Sequence, residues 1–222
     1  MVINMKTKLY VIDSAKFNDD RIFNESINLI SSYRREKVMR RKLREDKNMC
    51  LAAGILLNKG LEKYGLSERE TEYRIGEHGK LYFKNLPELH FNISHSGGIV
   101  ICAFSDCEVG CDVEKIRCVD LKLAKRFFSQ NEYEYIISKS SDNEKYSAFF
   151  RIWTLRESYM KAVGNGISMS LGSFEINLDG EMGIIDKRLG RKYYFKEYDT
   201  VKGYKISCCC EHNNFEDNPL IS

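Results

Sequence analysis

The chain has 222 residues, 43% of them hydrophobic and 30% charged, with a formal net charge of +3. That is room for one large domain or two small ones around a proper apolar core, and the net charge is too small to argue for nucleic acid by itself. No apolar run approaches a membrane span, the N-terminus has no signal-peptide core, and Pro87 and Pro219 are the sole prolines, so a cytoplasmic protein without a rigid linker is expected. The eight cysteines lack the paired C-x-x-C spacing of a zinc site, and Cys208-Cys209-Cys210 suits a strand better than a disulfide framework, so they read as reduced core thiols.

The first strand is predicted over Lys8–Ile12, ended by Asp13-Ser14. A helix follows from Asp19 to Ile30, with Ile22, Phe23, Ile27 and Ile30 at helical spacing. A basic helix comes next. Between Arg34 and Lys47 eight cations outnumber three acids, and the apolar positions Met49, Leu51, Ala52, Ile55, Leu56 and Leu57 continue it. Its arginines should face outward, either as a solvated face or towards a polyanion. Tyr73–Ile75 and Leu81–Phe83 read as short strands around the turn Gly76-Glu77-His78-Gly79-Lys80. Lys80 thus sits at a glycine bend where an ammonium can approach a ligand.

Phe91–His95 is a strand that leads through Ser96-Gly97-Gly98 into the apolar strand Ile99–Phe104. The Ser-His-Ser-Gly-Gly cluster is a hairpin turn first, and its hydroxyls, imidazole and backbone N–H groups also suit phosphate oxygens. No G-x-S-x-G elbow is present, which counts against an α/β-hydrolase. The strand Glu108–Glu114 then puts Val109, Cys111 and Val113 on one face and Asp112 and Glu114 together on the other. Two adjacent carboxylates repel, and a hard divalent cation relieves them. Alone, the pattern is most often a half-buried strand with a solvated acidic face.

Two helical regions follow, the first from Asp120 to Ser138 with a cap near Ser129 that divides it. The second, Glu144–Val163, is ended by Gly164-Asn165-Gly166. On it Trp153, Glu157 and Lys161 are spaced i, i+4, i+8 along one face. Phe174–Leu178, Lys192–Tyr198 and Tyr204–Cys210 read as strands, and the polar tail from Glu211 to Ser222 is expected to fray.

Three stretches, Phe91-Asn92-Ile93-Ser94-His95-Ser96, Val109-Gly110-Cys111-Asp112-Val113-Glu114 and Trp153-Thr154-Leu155-Arg156-Glu157-Ser158-Tyr159-Met160-Lys161, together resemble the 4′-phosphopantetheinyl transferases. The likeness is to the larger, pseudo-dimeric group that activates surfactin synthetase and related assembly lines. It implies an α+β fold of two similar halves, residues 1–106 and 107–222, with pseudo-twofold symmetry, a cleft between them, and a monomer. It implies transfer of phosphopantetheine from coenzyme A to a serine of an acyl or peptidyl carrier protein, with release of adenosine 3′,5′-bisphosphate, and no nucleic acid or membrane partner.

Carried over by residue, the resemblance implies a Mg²⁺ site at Asp112, Glu114 and Glu157, with Glu157 also the candidate general base or the group that orients a water as base. It implies coenzyme A contacts from Arg34, Lys37, Lys80, Ser94, His95, Arg156 and Lys161. Arg156 stands where the family usually has lysine, Arg34 where lysine is common, and Leu81 where proline often follows the Gly-Lys turn. No departure removes an acid or the histidine. A metal-dependent phosphohydrolase would use the acids without a carrier, and a nucleic-acid-binding module would use the basic helix but leave the three acids unexplained.

Overall fold

A computed structural model describes residues 5–164, 174–178, 182–186 and 190–221. Strand β1 (Lys8–Asp13) is buried through Leu9, Tyr10, Val11 and Ile12. Asp13 and Asp19 then cap, in turn, a 3₁₀ segment over Ser14–Asn18 and helix α1 (Asp20–Ser26). A second 3₁₀ segment, Ile27–Leu29, ends the predicted first helix.

The basic segment is two helices rather than one, α2 (Ser32–Arg40) and α3 (Arg44–Glu62). Nothing in Arg41-Lys42-Leu43 is a local breaker. The cause is packing. Leu51, Ala52, Leu56 and Leu57 of α3 are fully buried, and so is Val38 of α2. In one straight helix Val38 would sit about 220° around the axis from Leu51 and face solvent. Folding α2 back on α3 buries both. It also turns Arg34 inward, contrary to the expectation that the arginines face out: Arg34 is only 4% exposed.

Strands β2 (Tyr73–Ile75) and β3 (Leu81–Phe83) form a separate antiparallel hairpin. Strands β4 (His90–Ser96) and β5 (Ile99–Ser105) form the predicted hairpin over Gly97-Gly98, whose φ values of 55° and 94° suit the all-positive pair of a type I′ turn. Strand β6 (Val109–Lys115) carries the acidic pair. After it come helices α4 (Lys122–Phe127), α5 (Gln130–Ile137) and α6 (Asp142–Val163). Both α5 and α6 open on capping boxes, Ser129 with Glu132 and Ser141 with Glu144. Helix α6 stops at Gly164, whose φ of 79° is left-handed; Asn165 and Gly166 lie outside the described residues. The last strands are β7 (Gly183–Asp186), β8 (Arg191–Tyr198), β9 (Tyr204–Cys210) and β10 (Leu220–Ile221). The strand predicted over Phe174–Leu178 is a single bridge, Asn177 to Gly183.

Among the described residues two four-stranded sheets result, in the orders β10-β1-β5-β4 and β6-β9-β8-β7, each edged at one side by a strand of the candidate site. Helices α1 to α3 cover one face of the first sheet through Tyr10, Ile12, Val100, Cys102 and Phe104. Its other face, Leu9, Val11, Ile101 and Ala103, shares an apolar cluster with Val109, Cys111, Val113, Ile206 and Cys208 of the second sheet. Strand β5 is therefore buried at every residue, as a strand covered on both faces must be. Helix α6 covers the far face of the second sheet through Leu155, Tyr159 and Ala162. The tail does not fray. Phe215 bridges Thr7 and enters the shared cluster, and β10 pairs parallel with β1, so the C-terminal residues complete the first sheet. They cover an edge that would otherwise expose unpaired backbone groups.

Candidate active site

The site lies where the edge strands β4 and β6 run side by side. They are joined by side chains rather than a backbone ladder. Asn92 Oδ1 accepts from Cys111 N at 3.0 Å, Ser94 Oγ donates to Asp112 Oδ1 at 2.8 Å, and Ser96 Oγ donates to Glu114 Oε2 at 2.9 Å. The partner numbers rise together along both strands, so the two run in the same direction. The seam leaves a cleft of about 400 Å³ lined by Ile93, Ser94, His95, Asp112, Glu114, Trp153, Glu157 and Lys161.

Gly110 brings the third wall close. A Cβ there would lie 2.0 Å from the Ser158 carbonyl oxygen and 2.4 Å from Ala162 N. Only glycine lets β6 press onto the backbone of α6 at this point. The contact fixes how α6 lies on β6 and so presents Trp153, Glu157 and Lys161 to the cleft. The i, i+4, i+8 spacing read from the sequence therefore faces the acidic strand.

Asp112 is 4% exposed. Its Oδ1 accepts from Ser94 and, at 2.6 Å, from Lys161 Nζ, while its Oδ2 is buried with no hydrogen-bond partner among the described residues. Burial raises its pKa, against the Lys161 charge and hydrogen bonds from Lys161 and Ser94. Lys161 Nζ also donates to Ser94 Oγ at 3.1 Å and the Cys111 carbonyl at 3.4 Å. Burial pulls that ammonium down, but the Asp112 carboxylate outweighs it and the net shift is upward. The Asp112 side chain is the more deeply buried partner, 5% exposed against 28% for Lys161, so desolvation falls mainly on the carboxylate.

Glu157 makes no hydrogen bond to any described residue. Burial raises its pKa; Lys161 opposes this, and Asp112 and Glu114 add to it. Glu114 pairs with Arg117 Nη1 at 2.9 Å. His95 stands at the open lip of the cleft. Partial burial, then the charges of Lys161 and Arg41, pull its imidazole below the usual histidine value. Three carboxylates thus line one cleft, their oxygens not yet all within 4.8 Å of one another, and one buried oxygen lacks a partner among the described residues. All the donors are hard oxygens, which suits a divalent cation of the magnesium class.

Four residues implied by the resemblance stand elsewhere. Arg34 Nε lies 3.5 Å from the buried Glu68, and its guanidinium sits over the Tyr73 ring at 5.3 Å. Lys37 lies over Tyr33 at 4.7 Å, outside the cleft. Arg156 is fully buried between Phe128 and Phe174, paired with Glu132 and donating to the Phe174 carbonyl at 2.9 Å. It faces away from the cleft because consecutive helix positions point about 100° apart and Glu157 holds the cleft side.

Lys80 lines an adjoining cavity of about 280 Å³ with His78, Phe91, Ile93 and Lys161. Its ammonium is held by Glu108 at 2.6 Å and by the carbonyls of Val109, Lys161 and Ala162, so it ties the β2–β3 hairpin to the end of α6. Burial lowers its pKa against Glu108. Ser96, a hydroxyl of the Ser-His-Ser-Gly-Gly cluster, and Arg117 hold Glu114. Arg117 carries no signal in the sequence.

Residues 108–209 match the family model described as the 4′-phosphopantetheinyl transferase superfamily. The chain is 36% identical over 200 residues to 4′-phosphopantetheinyl transferase Sfp of Bacillus subtilis (strain 168), covering 88% of this chain and 89% of that one. It is 34% identical over 193 residues to 4′-phosphopantetheinyl transferase gsp of Aneurinibacillus migulanus, covering 86% and 80%. It is 24% identical over 218 residues to 4′-phosphopantetheinyl transferase pptA of Paxillus involutus, covering 89% and 82%.

Proposed function

Because the chain belongs to the 4′-phosphopantetheinyl transferase superfamily, we propose that it moves phosphopantetheine from coenzyme A to a serine hydroxyl of an acyl or peptidyl carrier protein. The observation that carries this reading is the buried Asp112 Oδ2 without a partner, in a cleft shared with Glu114, Glu157 and Lys161. In this reading the three carboxylates hold a magnesium ion. When bound, it neutralises charge on the pyrophosphate oxygens and polarises the phosphorus under attack.

The chain's own groups do the rest. Lys161, fixed by Asp112 and Ser94, presents its partly exposed head to the pyrophosphate. Ser94 and His95 line the same wall and meet phosphate oxygens. Glu157, hydrogen-bonded to no described residue and with its pKa raised by burial, takes the proton of the carrier serine. The serine oxygen then bonds to phosphorus as the bond to adenosine 3′,5′-bisphosphate breaks. Such catalysis is positioning and electrostatics. Arg34, Lys80 and Arg156 brace the walls of the cleft rather than grip the substrate. The exposed Arg40, Arg41 and Lys42 suit an acidic carrier surface.

We place the protein in the cytoplasm as a monomer of two α+β halves, 1–106 and 107–222, related by pseudo-twofold symmetry, with the C-terminal strand β10 crossing back to the first half's sheet. The support is that each sheet has its own helical cover and the acidic strand begins just past the junction. Among the described residues no helix is long and apolar enough to cross a membrane.

The test is to incubate an apo carrier domain with coenzyme A, Mg²⁺ and this protein and weigh the carrier. A phosphopantetheine adduct is expected. Phosphate release from small substrates with no adduct on any carrier would instead make the protein a phosphohydrolase. Metal-independent, salt-sensitive DNA or RNA binding would make it a nucleic-acid module.

A further inference from the structure

A second cluster of metal-ligating groups lies at the junction between the sheets, away from the cleft. Cys107 is on the turn between β5 and β6, Cys210 ends β9, and His212 follows two residues later. One donor atom from each lies within 4.8 Å of the others. Cys210 Sγ and His212 Nδ1 are 3.6 Å apart. For zinc bonds of about 2.3 Å to sulfur and 2.0 Å to nitrogen, a tetrahedral sulfur–nitrogen edge is about 3.5 Å.

The histidine is also held in the tautomer a metal needs. Asn214 N donates to Nδ1 at 3.2 Å, so Nδ1 is the unprotonated nitrogen and a metal would displace that N–H from its lone pair, while the Nε2 proton points to Asp106 Oδ1 at 3.0 Å. Asp106 is fixed in turn by Met5 N at 2.9 Å. A carboxylate behind the imidazole is the usual support of a metal-bound histidine. The His212 and Asp106 side chains are 27% and 21% exposed, so solvent reaches the imidazole side of the cluster, while Cys210 is buried.

We propose that Cys107, Cys210 and His212 bind a thiophilic divalent cation of the zinc class, with Asp106 as the residue that positions the imidazole. The donor sets sort the metals. Two sulfurs and a nitrogen select a borderline-soft ion, whereas the cleft offers hard carboxylate oxygens. The bound ion staples the turn that precedes β6 to the end of β9. It thereby ties the first sheet, the N-terminal residues and the start of the acidic strand together. The motif was invisible in sequence because Cys107 lies 103 positions before Cys210.

The full chain, stripped of metal by a chelator and kept reduced with a phosphine, is titrated with Co²⁺ in excess Mg²⁺. One equivalent should give tetrahedral bands with thiolate-to-cobalt charge transfer, and the metal should raise the melting temperature. Cys107→Ser, a near-isosteric change on a half-buried turn and expected to fold, should lose most of the charge-transfer intensity, and Cys210→Ser should do the same with an unchanged circular dichroism spectrum. Asp106→Asn should keep the tetrahedral spectrum but bind about 10–100-fold more weakly. Asp112→Asn should leave the cobalt spectrum as it is. A cobalt complex without thiolate charge transfer, intensity that survives Cys107→Ser, or thiols that form a disulfide but bind no cobalt would each overturn the proposal.

Discussion

Asp112→Asn separates the cost of the site from its use. The pKa of Asp112 is raised above 3.8, with burial as the largest cause. The folded state therefore binds this proton more tightly than the unfolded chain. Its contribution to stability is fullest below the unfolded value and falls as pH rises through the folded value. At neutral pH the ionised Asp112 is a net cost, about 1.4 kcal/mol for every tenfold by which folding weakens the acid. Asparagine removes that cost and keeps the hydrogen bonds at Oδ1 from Ser94 and Lys161. It loses the Coulomb attraction to Lys161, whose side chain is 28% exposed and whose ammonium keeps its hydrogen bonds to Ser94 and the Cys111 carbonyl. The opposing effects leave the variant within about 1 kcal/mol of wild type, a melting shift of about 2–4 °C for a chain of this size.

The amide nitrogen would replace the oxygen that has no partner and would repel a cation. In wild type, Mg²⁺ at about 100 times its dissociation constant adds about 2.7 kcal/mol, and the variant should gain nothing. Carrier loading should drop at least about 100-fold. Thermal denaturation with and without Mg²⁺, beside the carrier mass shift, reads both effects. Destabilisation beyond about 3 kcal/mol, as for a broken structural ion pair, or an intact Mg²⁺ response would refute the reasoning.

Glu157→Gln should fold normally and lower carrier loading by about 10²–10⁴-fold, and near wild-type turnover would remove Glu157 from both proposed roles. Arg156→Ala should destabilise by about 3–5 kcal/mol, because it leaves Glu132 buried and unpaired; a stable variant with a selective loss of coenzyme A affinity would return Arg156 to the substrate. Gly110→Ala must push α6 off β6, since the clash at 2.0 Å is with backbone. It should lower stability by about 3 kcal/mol or more and reduce turnover of the folded fraction, and unchanged melting would show that α6 can shift freely. His95 has a lowered pKa, with partial burial as its first cause, so its share of stability is present above the unfolded value near 6.5 and lost as pH falls through the folded value. His95→Asn should flatten that acid slope, as read from urea unfolding across pH.

The chain's local patterns already contained most of the site. The two-residue period of β6 put Asp112 and Glu114 on one face, and the 3.6-residue period of α6 put Trp153, Glu157 and Lys161 on another. Gly97-Gly98 specified the β4–β5 turn, and Ser129 with Glu132 marked the start of α5, whereas α6, read from Glu144, begins at Asp142 under the Ser141 cap. These features are local, and local sterics and hydrogen bonds suffice to set them.

Tertiary structure decided what depends on partners distant in the chain. It broke the basic segment after Arg40, because Val38 and Leu51 could not both reach the core from one straight helix. It took Arg34 and Arg156 inside to Glu68 and Glu132, and it tied Lys80 to Glu108 and the end of α6. It joined the tail to β1 and brought Cys107 to Cys210 and His212. A charge in sequence is only a charge. Whether it meets solvent, a ligand or a buried counter-ion is fixed by which surfaces must be covered, and covering is a property of the whole fold.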